Sequence, residues 1–145
     1  MTDLLDRVAS APISWGICEV PGWGAMLPTG RVLSEMSGLG LTATELGAPG
    51  FLPEDPRQVT RVLGEFGMTL LGGFTPVVLH DPALYTSTVA HARATAELMQ
   101  QAGASVFVTA VVLDPEWSVP RSLSAAERRH LVTMLGVVDD ICAEH

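Results

Sequence analysis

The amino-acid sequence predicts an α/β fold of four βα units, and two observations carry that reading. Short β-rich runs begin near Pro12, Thr42, Thr69 and Val106, spaced by about the length of a βαβ unit, and each leads through a loop into an amphipathic helix. The first three helices each end at a glycine, Gly40, Gly67 and Gly103, as a helix does when a left-handed residue satisfies its last carbonyls. Strands alternating with helices through short links run parallel, joined by right-handed crossovers. Four such units are half of a (β/α)8 barrel; a small doubly wound sheet satisfies the same pattern. The fourth helix reaches Glu144-His145 with no glycine, asparagine or proline after it. The expectation is an incomplete domain, residues 1–145 forming the N-terminal half of a barrel.

Taken in order, the first strand is placed at Pro12–Ile17, followed by a loop from Glu19 to Gly30 rich in turn formers. Helix one carries Val32, Leu33, Met36 and Leu39 on one face, the spacing of a one-sided helix. The second strand is Thr42–Leu46, and the loop Gly47–Pro53 leads to helix two. There Asp55 is a good N-cap, Pro56 suits the first helical position, and Gln58 completes a capping-box-like spacing. Val59, Val62, Leu63 and Phe66 form its buried stripe. The third strand is Thr69–Phe74, followed by an unusually apolar loop from Thr75 that ends in His80-Asp81-Pro82. Helix three spans about Ser87 to Ala102, with Val89, Ala92, Ala96 and Met99 on one face, and the fourth strand is Val106–Leu113. Helix four opens on Ser124 and Glu127, a capping box, with Leu131, Leu135, Val138 and Cys142 as its buried stripe.

The chain has 145 residues, 48% hydrophobic and only 17% charged. That apolar excess fits strands covered on both faces. A net charge of −8 argues against nucleic-acid binding, which needs basic patches on phosphate, so no nucleic-acid partner is expected. Arg128-Arg129-His130, the only basic cluster, reads as a solvated helix face. Cys18 and Cys142 are isolated and lack metal-ligand spacing, as reduced thiols of a cytoplasmic protein would be. The acidic start Met1–Arg7 is not a signal peptide. No apolar stretch approaches the ~18 residues of a membrane span, so no membrane partner is expected.

In a parallel α/β fold, ligands bind beyond the carboxyl ends of the strands. Glu45 stands out there, because a carboxylate ending an apolar strand is costly to bury without a partner. It is read as a catalytic base or a hydrogen-bond acceptor for a polyol, against the alternative of a rim ion pair. Trp15 is a substrate-binding candidate that could stack on a sugar ring, or could pack beneath the first loop. His80 is a second, able to bind substrate or act as an acid, although the Asp81-Pro82 that follows also makes a turn. Asp114-Pro115-Glu116 reads as a turn and a solvated loop. No G-x-G-x-x-G follows a strand, and neither a P-loop nor a G-x-S-x-G elbow is present.

Ala11-Pro12-Ile13-Ser14-Trp15-Gly16, Thr42-Ala43-Thr44-Glu45-Leu46-Gly47 and Leu71-Gly72-Gly73-Phe74 resemble the opening strands of the xylose-isomerase-like TIM barrels. Within these they are most similar to inosose dehydratases and the sugar phosphate isomerases and epimerases. The likeness runs from Ala11 to His145. It implies a (β/α)8 enzyme that uses a divalent metal (Mn, Co or Mg) on a sugar or polyol ketone, either a lyase dehydrating a keto-inositol or an isomerase. It implies metal ligands from the later strands, so no metal ligand is assigned here and the chain alone is expected to be inactive. By position, Glu45 and Trp15 match substrate-side residues of the first half. The alternative of another class is a non-catalytic half-barrel. Such a half leaves unpaired edges and an uncovered apolar face, so the expected partners are the missing C-terminal half or a second copy.

Overall fold

The computed structural model describes residues 7–145; the acidic segment before Arg7 lies outside the described residues. The elements are α1 (Thr29–Gly38), β1 (Ala43–Glu45), α2 (Pro56–Gly64), β2 (Thr69–Val77), α3 (Tyr85–Gln101), β3 (Val106–Val111) and α4 (Ala125–Glu144). The three strands form one sheet in the order β1-β2-β3. Among the described residues no helix is long and apolar enough to cross a membrane.

The strand expected at Pro12–Ile17 is not formed. Pro12–Trp15 is a 3-10 turn closed by Gly16 in the left-handed region, and strand pairing is reduced to a single parallel bridge between Ser10 and Thr44. That bridge consists of Ser10 N–H donating to the Ala43 carbonyl at 3.1 Å and Glu45 N–H donating to the Ser10 carbonyl at 2.9 Å. Pro12 has no N–H to give to a ladder and its ring fixes φ at a helical value, which ends the extended run just past Ser10. Among the described residues three strands are formed, and the Ser10 bridge lies where the expected first strand would begin.

β1 pairs parallel with β2 in the register Ala43 to Thr69, Thr44 to Leu70 and Glu45 to Gly72. The register shifts between Thr44 and Glu45, the kind of irregularity that re-aims a side chain beside a functional site. β2 runs three residues beyond the expected end at Phe74, because the apolar run through Thr75 and Val77 stays buried. Gly72 is required on β2: a Cβ there would lie 2.0 Å from the Val106 carbonyl oxygen.

The described chain divides into two compact units. One comprises residues up to Phe74 with Leu98–Val106; the other comprises Thr75–Glu97 with Phe107–His145. In the first, Val32, Leu33 and Met36 of α1 and Val59 and Leu63 of α2 are buried as their spacing predicts. Leu39, by contrast, lies past the end of α1 and is exposed. Asp55 caps α2 by accepting from Gln58 N–H at 2.9 Å. In the second, Val77, Leu79, Ala92, Ala96, Met134, Val138 and Ile141 form the core. Ser124 and Glu127 form the reciprocal capping box that starts α4. The buried face of α4 is rotated from the expected one: Met134, Val138 and Ile141 point inward, Leu131 and Cys142 are partly covered, and Leu135 is exposed. β3 carries Val106, Val108 and Val111 exposed to solvent.

Candidate functional site

In the first unit Glu45 ends β1 at the register shift, with its N–H bonded to the Ser10 carbonyl. Its side chain is half-buried, and among the described residues it forms no ion pair. The rim ion pair considered for it is thus not seen there. A second carboxylate shares its surroundings. Burial pushes Glu19 above the usual carboxyl range, its own backbone N–H offsets part of the rise, and the negative charge of Glu45 adds to it. Glu19 was not singled out from sequence. Its place depends on a loop held by Ala25 N–H donating to the Gly16 carbonyl at 2.9 Å, a closure that no residue spacing announces.

Trp15 sits on the 3-10 turn with its indole Nε1–H donating to Glu35 Oε2 at 2.8 Å, while Arg31 Nε donates to Glu35 Oε1 at 2.9 Å. Those two bonds, Arg31's first, hold the Glu35 carboxyl below its ordinary value. The polar edge of Trp15 is therefore tethered to α1, and the ring remains partly exposed rather than sunk in the core. The turn that carries Trp15 and the loop after Glu45 touch through Pro12 and Gly47, where a Cβ on Gly47 would be 2.8 Å from Pro12 Cγ. This unit brings together the segments of both residues.

His80 lies in the second unit and is only 4% exposed. It lines a cleft of about 300 Å³ with Val112, Leu113, Trp117, Ser118 and Arg121. The expected turn after it exists: Asp81 accepts from Ala83 N–H at 2.9 Å and caps a short 3-10 turn at Pro82–Leu84. Facing His80 is the loop after β3. Asp114 accepts from the N–H groups of Glu116 at 3.1 Å and Ser118 at 3.0 Å. The Ser118 N–H chiefly, then the Ser118 hydroxyl, the Glu116 N–H and the charge of His80 hold the Asp114 carboxyl below its ordinary range. The turn read at Asp114-Pro115-Glu116 is present. What sequence did not reveal is that this turn delivers Trp117 and Ser118 to the His80 cleft. Arg121 is engaged in a fork on Glu127, at 2.6 and 3.2 Å, so its charge is already matched.

Among the described residues no three His, Cys, Asp or Glu side chains group as a metal site would require. The described residues therefore do not by themselves fit a metal ion.

No protein-family model matches the chain. It is 29% identical over 147 aligned positions to an inosose dehydratase from Geobacillus kaustophilus (strain HTA426), covering 95% of the chain and 47% of that protein. It is 37% identical over 68 positions to the rhizopine catabolism protein MocC of Rhizobium meliloti, covering 47% of the chain and 20% of MocC. The chain thus spans about half the length, or less, of these curated relatives. In fold it matches a xylose isomerase-like TIM barrel protein from Mycobacterium smegmatis solved in complex with magnesium, with TM-score 0.66 and 19% identity over 94% of this chain and 51% of that one. A D-allulose 3-epimerase from Methylomonas sp., solved with D-allulose, gives TM-score 0.63 and 13% identity over 94% and 47%. In fold the chain is thus similar to about half of these TIM barrel structures, and in sequence it resembles inosose dehydratase.

Proposed function

We propose that this chain supplies the N-terminal half of a (β/α)8 enzyme that removes water from a keto-inositol. The observation that carries the proposal is Glu45: a strand-end carboxylate, half-buried and without an ion-pair partner among the described residues, in a chain whose sequence resembles inosose dehydratase. An unpaired carboxylate at that position costs stability, which a role toward substrate accounts for and a structural role does not.

Dehydration of a hydroxy-ketone breaks a C–H bond beside the carbonyl and a C–O bond on the next carbon. A proton must be taken up at the first and supplied to the departing hydroxyl at the second. Glu45 is suited to accept the first proton, or to accept a hydrogen bond from the ring hydroxyl that becomes more acidic as charge develops. Glu19, which holds its proton to higher pH than an ordinary carboxyl, suits the complementary role of donor. In the first unit Trp15 offers a partly exposed ring for the sugar; in the second, His80 lines a cleft of about 300 Å³ of its own and is a separate substrate-binding candidate. The magnesium in the M. smegmatis neighbour supports a divalent ion in the whole enzyme, with ligands drawn from outside the described residues. The exposed Val106, Val108 and Val111 of β3 support a covering partner for that strand, the C-terminal half or a second copy.

A second reading, epimerisation or isomerisation of a ketose, is favoured by the likeness to D-allulose 3-epimerase. The complete enzyme assayed with added magnesium, manganese or cobalt separates the two. Consumption of a keto-inositol with appearance of an unsaturated product supports dehydration. Interconversion of D-allulose with its epimer, and no reaction of the keto-inositol, overturns it.

A further inference from the structure

Glu35 sits where its own helix does not ask for a carboxylate. It lies in the last turn of α1, its backbone carbonyl accepting from Leu39 N–H at 3.1 Å. That is the end at which the helix dipole disfavours negative charge. The cation beside it, Arg31, precedes it by one turn, which is the weaker order for an i, i+4 ion pair. Both side chains are well exposed, 61% for Arg31 and 46% for Glu35, where such a pair contributes little to stability. What Glu35 does hold is a residue 20 positions earlier in the chain, on a different element.

That residue is Trp15. Its indole Nε1–H, the only polar group of the ring, donates to Glu35 Oε2 at 2.8 Å, and Arg31 Nε donates to the other oxygen, Oε1, at 2.9 Å. With each oxygen given to a different donor, the carboxylate cannot rotate without losing one of the two bonds. A hydrogen bond to a charged acceptor is stronger than a neutral one, so the edge of the indole is pinned while the ring stays partly exposed. An aromatic ring held by its edge presents a face for stacking and has little rotamer freedom left to lose when a ligand arrives. The turn that carries this ring belongs to the same unit as Glu45. Pro12 opens the turn and packs against Gly47, two residues past Glu45, so closely that a Cβ on Gly47 would lie 2.8 Å from Pro12 Cγ. Gly16 closes the turn, and its carbonyl accepts from Ala25 N–H at 2.9 Å, which anchors the loop bearing Glu19.

We propose that Glu35 is a positioning residue: it acts through the Trp15 indole N–H and holds that ring as a preset wall for the ring of a polyol ketone. Glu35 itself touches no substrate. This rests on the reading above that a polyol ketone is the substrate and that Trp15 meets it.

The test is steady-state kinetics of the complete enzyme on a keto-inositol, for the wild type, Glu35→Ala, Trp15→Phe (which keeps a ring and removes the N–H) and the double variant. Glu35→Ala should raise KM by about 3- to 10-fold, the scale of one aromatic contact, and leave kcat within about 2-fold, the pattern of lost ground-state binding. Trp15→Phe should raise KM by a similar factor. Two changes that act through one N–H do not multiply, so in the Trp15→Phe background Glu35→Ala should add less than about 2-fold. An unchanged KM in Glu35→Ala, whatever its Tm, makes the contact a structural tether and overturns the inference. An equal KM rise from Glu35→Ala in both backgrounds overturns it as well, because Glu35 then acts by another route. Either result leaves the functional reading standing. No turnover of the keto-inositol by the wild type overturns the reading and the inference with it. Should Glu35→Ala fail to fold by circular dichroism, Glu35→Leu, which keeps bulk on the helix and lacks an acceptor, is read in the same way.

Discussion

Alanine at Gly24 should destabilise the first unit far more than alanine at Gly22, although the two lie in one loop with similar backbones, φ +68° and +77°. Both variants carry the strain of an L-residue in the left-handed region, about 1–2 kcal/mol. They differ in what the new methyl meets. At Gly22 nothing lies within 4 Å, whereas at Gly24 the methyl would lie 2.0 Å from the Gly16 carbonyl oxygen and 3.3 Å from Cys18 Cβ. That oxygen accepts from Ala25 N–H at 2.9 Å, so it cannot withdraw without losing the bond that closes the loop. Overpacking adds about 1–3 kcal/mol and the lost hydrogen bond about 1. The expected costs are about 1–2 kcal/mol for Gly22→Ala and about 3–6 for Gly24→Ala. For a chain of this size, thermal unfolding should show Tm falling by roughly 3–6 °C and roughly 9–18 °C. Equal shifts would refute the close approach of Gly24 to Gly16, and with it the account of how the loop bearing Glu19 is held.

The rotated face of α4 makes a second contrast. Met134→Ala should cost about 2–5 kcal/mol as a core truncation, while Leu135→Ala, on the exposed side, should stay within about 0.5 kcal/mol; chemical denaturation of both variants checks the register. The third prediction concerns pH. Arg121, with the Ser124 N–H and hydroxyl, lowers the Glu127 carboxyl from 4.5 to about 2. A depressed carboxyl contributes stability that is fully present above its unfolded value and is lost as pH falls through the folded one. The contribution should therefore disappear between pH 4.5 and about 2. Glu127→Gln should lower Tm at pH 6 and flatten its dependence on pH across that window. The effect should be small, because Arg121 is half exposed and solvent screens the pair.

Features decided within a few residues were legible in the sequence. The Asp55 cap, the Ser124–Glu127 box and the helix stops at Gly40, Gly67 and Gly103, all at positive φ, follow from short-range hydrogen bonding and backbone freedom. Features decided by distant pairing were not. Pro12-Ile13-Ser14-Trp15 has the composition of a strand, yet among the described residues the bridge to β1 falls on Ser10, and Pro12 opens a 3-10 turn instead. On α4 the sets Leu131/Leu135/Val138/Cys142 and Met134/Val138/Ile141 both have helical spacing and share Val138. Only the packing of Val77, Leu79, Ala92 and Ala96 selects between them. In the candidate site, Glu45 was marked out as an expectation by its place at a strand end, where ligands bind in parallel α/β folds. Glu19 and Trp117 were not, since each reaches its place through a loop conformation, the Gly16–Ala25 closure and the Asp114 clamp, that the order of residues does not announce.

The role of Glu45 toward substrate is tested most directly by Glu45→Gln in the complete enzyme, with kcat and Tm measured on the same preparation. The substitution keeps the shape of the side chain and removes its charge. A group that takes up a proton, or accepts a charge-assisted hydrogen bond in the transition state, should lose roughly 10²-fold or more in kcat on its removal. Tm should hold or rise, because an unpaired, half-buried carboxylate does not stabilise the fold. A kcat near wild type together with a lowered Tm would contradict the account and make Glu45 a structural residue.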